Sequence, residues 1–322
     1  MTHHESGSQR DVSLGIVSGI AAYTIWGFLP MYWKLLDHVP SGEVLAHRII
    51  WSLVLMLIVL FSLRKSTSLL DDLRYIRTYP KILAGLFLAS LFISINWFSF
   101  IWAVTNDRVI EASLGYYINP LVSVLLGVLF LKEKVSYWQK VSFIIALIGV
   151  LSLTLSFGTV PVVGLILAFS FAFYGLVKKL TQIGAFTGLT IETFILTPVA
   201  IVFLFITHSN MTSLFYFESD FSTFPLLIGA GAVTAVPLLL FGIGARKIPL
   251  SMIGFLQYIA PTIMLFLGVF SYGELFSLIH FISFSLIWLA LVIYSFSKTS
   301  WLRKLEPQKR KTPVGTDDSS SS

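Results

Sequence analysis

Ten long apolar segments constrain this chain more than any other feature of its sequence. A helix of about 20 apolar residues spans the hydrocarbon core of a bilayer. Apolar residues make up 56% of the chain and charged residues only 12%, which exceeds what the core of a soluble domain requires. We therefore predict an all-α integral membrane protein with ten transmembrane helices, at residues 13–36, 44–63, 81–104, 109–131, 137–156, 160–178, 188–207, 224–245, 250–272 and 276–297.

The chain also contains an internal repeat. Five residues in and after span four return 141 positions later, in and after span nine: Tyr117 as Tyr258, Pro120 as Pro261, Gly127 as Gly268, Glu133 as Glu274 and Ser136 as Ser277. The two copies are five spans apart, so they run in opposite directions across the membrane. We therefore predict two inverted five-helix repeats, residues 13–156 and 157–297, an arrangement that permits alternating access in secondary transporters.

The basic residues predict how these spans are oriented. Ten spans put both termini on one side of the membrane, and cytoplasmic loops are enriched in lysine and arginine. Of the 22 lysines and arginines, all except Lys34, Arg48 and Arg108 fall in segments that are cytoplasmic if the N-terminus is cytoplasmic. We expect residues 1–12 and the basic, serine-rich tail 298–322 to be cytoplasmic, and the tail to be disordered. Because this topology explains the net charge of +6, a nucleic-acid partner loses its support.

Spans one and two contain a group of charged and titratable residues. Lys34 lies near the outer end of span one, and Glu43, His47 and Arg48 lie early in span two. Ionisable side chains within spans are rare, and they usually face protein, water or a partner. Glu43 and His47 share one helix face. The group either handles an anionic or zwitterionic substrate or a proton, or forms an ion pair that fixes the packing of these two spans.

A second group of residues predicts the lining of a central cavity. Pro120 and Pro261 each remove a backbone hydrogen bond, so we interpret them as hinges, with static kinks as the alternative. A polar side chain beside such a proline either bonds the freed backbone or faces a cavity, and deep aromatic residues provide an apolar surface. The predicted substrate-binding residues are Tyr23, Trp26, Asn96, Trp97, Tyr117, Asn119, Tyr174, Gln257 and Tyr258.

The sequence has no catalytic motif. It has no cysteine, its six histidines lack metal-ligand spacing, and no nucleotide-hydrolysis motif is present. We therefore expect no enzyme activity, no cofactor and no bound metal. The expected partners are a small-molecule substrate and membrane lipid. Monomer and homodimer stay equally open, because lipid-facing and partner-facing surfaces are both apolar.

The chain resembles the RarD family, in the EamA group of the drug/metabolite transporter superfamily. The resemblance runs from about Gly15 to Tyr294 and is carried by Ala22-Tyr23 to Trp26-Gly27, Glu43 to Ser52 with His47-Arg48 inside, Asn96-Trp97, Glu111 to Tyr116, Ile118 to Leu121, Ser170 to Gly175, Val236-Pro237-Leu238 and Gln257-Tyr258-Ile259. It implies the drug/metabolite transporter fold, a ten-helix carrier of the bacterial inner membrane with a cavity lined by both halves.

These features together predict a secondary transporter. We expect it to export a small amphipathic metabolite or drug by alternating access, coupled to protons or to exchange, because the chain has no signal for nucleotide hydrolysis. The alternative is a membrane channel or sensor without alternating access.

Overall fold

The computed structural model describes residues 2–63, 66–105, 109–156, 158–181, 183–207, 223–271, 277–297, 299 and 305. Nearly all of these residues are helical, and no strand occurs among them. The helices are α1 (Thr2–Lys34), α2 (Ser41–Ser62), α3 (Ser66–Thr78), α4 (Pro80–Thr105), α5 (Val109–Leu129), α6 (Tyr137–Ser156), α7 (Val162–Thr181), α8 (Ala185–Thr207), α9 (Thr223–Lys247), α10 (Leu250–Leu256), α11 (Ile259–Ser271) and α12 (Leu278–Phe296).

Within the described residues, nine stretches of helix are long and apolar enough to cross a membrane. One of them, Leu250–Leu267, joins α10 to α11. The remaining predicted span, span four, is occupied by the shorter apolar stretch Leu114–Leu129 of α5. The predicted all-α membrane fold is confirmed. Residues 208–222 and 306–322, which include most of the predicted tail, lie outside the described residues.

Two helices differ from the predicted pattern. The charged segment between spans two and three contains α3, whose Ile76 is buried against Leu86 and Ile183. Thr187 of α8 donates a hydrogen bond to the carboxylate of Asp72 on α3, at 2.5 Å. An amphipathic helix of 13 residues is too short and too polar to span the membrane. Helix α1 also begins well before the predicted first span, at Thr2.

Helices of the two predicted repeats pack in matching pairs. In the two predicted repeats, α1 corresponds to α7, α4 to α9, and α5 to α10 with α11. Helix α4 packs on α7, just as α9 packs on α1. Helix α5 also packs on α7, just as α10 and α11 pack on α1. Helices α2 and α8 are counterparts that contact each other, and so are α6 and α12. Two repeats related by a two-fold axis produce this pattern, which supports the predicted pairing of the halves. The repeat boundaries and the inverted orientation stay predictions.

The repeated serines begin equivalent helices. The backbone N–H of Gln139 donates to Ser136 Oγ at 3.4 Å, and the N–H of Ser136 donates to Gln139 Oε1 at 2.8 Å, a reciprocal pair at the start of α6. At the start of α12, the N–H of His280 donates to Ser277 Oγ at 3.3 Å. Helix capping therefore explains this pair of repeated residues.

The two repeated prolines lie in different local structures. Helix α5 continues through Pro120, whereas the predicted ninth span is interrupted at Gln257 and Tyr258, between α10 and α11. Pro261 has no N–H to donate to the carbonyl of Gln257, which accepts instead from the N–H of Ala260 at 3.3 Å. The single helix predicted over 250–272 is thus two helices. The hinge role of both prolines stays a prediction.

Candidate functional site

A cavity of about 650 Å³ lies between helices of both predicted repeats. Its lining comes from the last turns of α1, α4 and α6, the first halves of α2, α5 and α12, and parts of α7, α9 and α11. We call the end of the bundle where these helix ends meet the cavity end, and the opposite end the closed end. The cavity is partly open rather than enclosed, and Ser156, the exposed last residue of α6, belongs to its lining.

Close helix packing shapes one wall of this cavity. A Cβ atom on Gly115 of α5 would lie 2.7 Å from the carbonyl oxygen of Gly164 on α7. Only glycine allows the two backbones to approach this closely. Because Gly115 itself lines the cavity, this contact fixes where the first turns of α5 stand against α7.

Most of the predicted substrate-binding residues come together in this lining. Tyr174 and Tyr258 do not; they lie behind it, with 0% and 2% of their surface exposed. Of the two predicted hinges, Pro261 lines the cavity and Pro120 does not. The predicted residues that line the cavity are Tyr23, Trp26, Asn96, Trp97, Tyr117, Asn119 and Gln257.

The structure divides the charged group of spans one and two. Arg48 lines the cavity, whereas Lys34, Glu43 and His47 do not. Glu43 and His47 are buried within the bundle, and Lys34 is exposed at the end of α1. The four residues therefore do not form a single site around the cavity.

Arg48 is held by neighbours from three other helices. Its Nε donates a hydrogen bond to Thr234 Oγ1 of α9 at 3.1 Å. Its Cζ atom lies 5.2 Å from the ring centre of Trp33 on α1 and 4.5 Å from that of Trp97 on α4. Cation–π contacts orient a guanidinium without neutralising its charge. No carboxylate among the described residues forms an ion pair with it.

Two polar atoms at the cavity have no hydrogen-bond partner within the described structure. They are the Tyr23 hydroxyl and the side-chain oxygen Oε1 of Gln257. The amide of Gln257 is oriented from its other side, because Nε2 donates to Ser123 Oγ at 3.2 Å and Ser123 Oγ donates to Asn119 Oδ1 at 3.3 Å. Both atoms are fully buried, and the Gln257 side chain lies close enough to the Tyr23 hydroxyl to interact with it, so the two side chains form a polar pair beneath the cavity wall. Ser123 was not predicted from the sequence.

An aromatic cluster forms another wall. Trp26 contacts Tyr23 and Phe171, with ring centres 5.3 and 5.5 Å apart. Phe171 lines the cavity, and Tyr174 stacks on Phe241 behind it at 5.7 Å. Tyr174 is the residue predicted from the sequence, but Phe171, one turn earlier on the same helix face, provides the wall. The segment from Ser170 to Gly175, which carries part of the family resemblance, contains both residues and so indicates the position of this wall.

The closed end is joined by a contact between the two predicted repeats. Glu133, after α5, accepts hydrogen bonds from the backbone N–H groups of Leu250 and Ser251 at 2.6 and 3.0 Å. It also accepts one from the Ser251 hydroxyl at 2.7 Å. We call these three bonds the Glu133 contact. Its counterpart in the repeat, Glu274, lies outside the described residues.

A buried ion pair near the closed end was not predicted. Lys178 Nζ lies 2.7 Å from Glu192 Oε1, and only 6% and 2% of the two side chains are exposed. The Tyr174 hydroxyl donates to Glu192 Oε2 at 3.1 Å. Lys178 was predicted to be one of the cytoplasmic basic residues. The available signal was Glu192, an ionisable residue near the start of span seven, as Glu43 is at the start of span two.

The described residues contain no group of three or more histidine, aspartate or glutamate side chains that could hold a metal ion. The polar chemistry of the cavity is instead one guanidinium, the imidazole of His280, and amide and hydroxyl groups on a mainly apolar wall. This arrangement suits reversible binding of an organic molecule with one polar end.

Comparisons with known proteins point in one direction. The model of the EamA-like transporter family matches residues 13–155. The uncharacterized transporter YojE of Bacillus subtilis is 50% identical over 90% of this chain and 96% of its own length. Protein RarD of Escherichia coli is 46% identical over 87% of this chain and 93% of its own length. A solved crystal structure aligns with a TM-score of 0.68 over 89% of this chain and 99% of its own, at 17% identity, and so has the same fold.

Proposed function

We propose that this chain, which belongs to the RarD family of the drug/metabolite transporter superfamily, carries a small amphipathic molecule across the bacterial inner membrane by alternating access. The family makes it a membrane transporter. The observation that carries the rest of the proposal is the asymmetry of the bundle. A partly open cavity lies at one end, while the Glu133 contact joins the two predicted repeats at the other.

This asymmetry is what one state of an alternating-access carrier requires. If the two repeats have inverted orientations, a second state of similar energy closes the cavity end and opens the closed end. The Glu133 contact then breaks and forms once per cycle. Cytoplasmic enrichment of lysine and arginine supports a cytoplasmic location for the closed end, and we propose export from there through the cavity end.

The lining supports a small amphipathic substrate. A cavity of about 650 Å³ is within the usual size of small-molecule sites, on the order of 300–1,000 Å³. Trp26 and Phe171 provide apolar surface, and Asn119, Gln257 and Arg48 provide polar groups that fix orientation. The absence of a nucleotide-hydrolysis motif leaves an ion or substrate gradient as the source of energy, and proton coupling and exchange both belong to the proposal.

A counterflow experiment tests this function. Metabolites that differ between deletion and overexpressing cells supply candidate substrates, which are then loaded into proteoliposomes with the purified chain. We expect saturable uptake of labelled substrate driven by unlabelled substrate inside. Conductance that never saturates would establish the channel alternative instead.

Two tryptophan variants provide a matched control for the counterflow experiment. Trp26→Ala removes part of the cavity wall and is expected to reduce counterflow. Trp102→Ala, on an exposed surface of α4 outside the lining, is expected to leave it intact. Equal loss in both variants would contradict the assignment of the cavity as the transport site.

A further inference from the structure

We infer that the substrate of this cavity is an organic monoanion, a carboxylate on an aromatic or alkyl body, and that Arg48 binds its carboxylate. The inference rests on the proposed function for one point only, that the cavity is the transport site. It adds the charge and chemical class of the substrate, which family membership leaves open.

The first step is the hydrogen-bonding capacity of Arg48. A guanidinium has five N–H donors in a fixed plane. Nε donates to Thr234 Oγ1, and within the described structure the two terminal nitrogens have no hydrogen-bond acceptor. The rings of Trp33 and Trp97 hold the group but accept none of these donors in a conventional hydrogen bond. The two terminal nitrogens form a fork that matches the two oxygens of a carboxylate.

The second step is the charge of the lining. Arg48 is the only lysine, arginine, aspartate or glutamate among the described residues that line the cavity. A charged side chain inside a membrane protein is costly unless water or a partner compensates it. A monoanion would neutralise the cavity. A dianionic phosphate would lack a second lysine or arginine, since the lining adds only the imidazole of His280, and the ammonium of an amino acid would lack a carboxylate to pair with.

The third step is the remaining surface. Phe100, Phe171, Met264 and Phe284 line the cavity and are apolar. Burial of an apolar body against them is favourable by about 25 cal/mol per Å². A carboxylate with one or two rings therefore suits both parts of the lining, the guanidinium and the apolar walls.

A purely structural role for Arg48 would connect α2 to α9 through Thr234. That role uses Nε alone and does not explain why the terminal nitrogens have no acceptor. It also predicts that any side chain able to bond Thr234 can replace Arg48 without changing the relative affinity for anionic and neutral ligands. The two roles therefore differ in a measurable quantity, the ratio of affinities for an anion and its neutral amide.

The test measures binding to the purified full-length chain by tryptophan fluorescence, because Trp26, Trp33 and Trp97 line the cavity. Four probes have the same carbon skeleton: 3-phenylpropionate, 3-phenylpropanamide, 3-phenylpropylamine and phenylalanine. We expect 3-phenylpropionate to bind roughly 10- to 100-fold more tightly than the amide, the ratio that a charge-assisted hydrogen bond produces.

Variants locate the effect. Arg48→Gln should abolish the preference for the anion over the amide, and Arg48→Lys should retain part of it. Thr234→Val removes the Nε partner but keeps the charge, and should retain most of the preference. Lys140→Gln, which removes one exposed positive charge from α6, is the matched control and should change nothing. Size-exclusion chromatography checks folding, and if Arg48→Gln is unstable, the wild-type ratio and Arg48→Lys decide.

The inference is overturned by equal wild-type affinity for anion and amide, by tighter binding of the amine or of phenylalanine, by no binding of the anion at millimolar concentration, or by an unchanged ratio in Arg48→Gln. Its failure is distinct from failure of the proposed function. Counterflow of neutral or cationic probes would refute the monoanion and leave the carrier. Anion binding to Arg48 without counterflow would refute the carrier and leave the anion site.

Discussion

The cavity end and the closed end each contain a cation inside the bundle, and the two cations have different partners. At the closed end, Lys178 is neutralised by Glu192, which Tyr174 also bonds. At the cavity end, Arg48 is oriented by two tryptophans and one threonine but paired with no described carboxylate. A cation with a protein partner stabilises structure, whereas an oriented cation without one is available to a ligand.

The same contrast extends to uncharged groups. At the closed end, Lys179 donates to the carbonyls of Ala245 and Ile248 at 3.2 and 2.6 Å, and Glu133 accepts three hydrogen bonds. At the cavity, the Tyr23 hydroxyl and Gln257 Oε1 have no partner in the described structure. Buried polar atoms without a hydrogen bond also occur outside the cavity lining, at Trp51, Tyr258 and Ser283, so the two ends differ mainly in how their cations are paired.

The largest expected effect tests whether Lys178 and Glu192 form a structural pair. Glu192→Leu leaves Lys178 buried without a partner and should lower the free energy of unfolding by about 3–5 kcal/mol, whereas the double variant Lys178→Met with Glu192→Leu should recover most of that loss. Denaturant unfolding of the purified protein in detergent measures both.

Two further variants compare the ends directly. Asp71→Asn removes a carboxylate from an exposed ion pair with Arg74 and should change stability little. Arg48→Gln should also cost much less than Glu192→Leu, because no buried acid loses its partner. A loss in Arg48→Gln as large as in Glu192→Leu would remove the distinction between the two cations.

An intermediate effect is expected at the Glu133 contact. Glu133→Gln replaces charge-assisted hydrogen bonds with weaker neutral ones and should favour opening of the closed end by about 1–2 kcal/mol, roughly 5- to 30-fold in population. The chain has no native cysteine, so Ser123→Cys is a unique reporter. Ser123 is buried where α5 faces α10, and modification by a water-soluble maleimide should accelerate when Glu133→Gln is added.

The control for this experiment is Asp71→Asn in the same Ser123→Cys background. It removes a carboxylate from the exposed surface of α3, outside the Glu133 contact. An unchanged labelling rate in Glu133→Gln, or an equal acceleration in both variants, would show that the Glu133 contact does not hold the closed end together.

The smallest effect concerns the unbonded oxygen of Gln257. This oxygen is buried beneath the cavity wall beside the Tyr23 hydroxyl, so a ligand N–H reaches it only when these two side chains separate. One neutral hydrogen bond is then worth about 1 kcal/mol, roughly fivefold in affinity. We expect indole-3-propionate to lose about this factor in Gln257→Leu, while 3-phenylpropionate loses little. Calorimetry measures both ligands. An equal loss for the two would mean that Gln257 shapes the wall and accepts no hydrogen bond from the ligand.

The sequence predicted the spans well because hydropathy depends on local composition. It also predicted seven cavity residues, since polar side chains within spans seldom face lipid and the chosen aromatic residues lie deep within their spans. It could not separate Arg48 from Glu43 and His47, because a helix turns about 100° per residue and the neighbouring helices decide which face meets the cavity. Tyr174 and Phe171 differ by one turn, and only the packing of Phe241 places one behind the other.

Other features depend on how neighbouring helices meet. Lys178 and Glu192 lie 14 residues apart and meet across the connection between α7 and α8, but nothing in the local sequence distinguishes Lys178 from the adjacent Lys179. The interruption between α10 and α11, at Gln257 and Tyr258, was also not predicted from the sequence. Pro120 and Pro261 are equivalent in sequence, yet only the second follows a break in its helix.

The unpaired guanidinium of Arg48 has a consequence for biosynthesis. Arginine within a nascent helix disfavours its partition from the translocon into lipid, by at most about 2.5–3.5 kcal/mol at the helix centre and by less at the position of Arg48, early in the span. Helix α2 inserts because its apolar residues give it a mean hydropathy of 2.3. Trp97 and Thr234 are synthesised only later, so newly inserted α2 exposes a charge that its final neighbours have yet to cover. Correct assembly of this protein therefore depends on retaining α2 beside the translocon, or on water reaching Arg48, until α9 arrives.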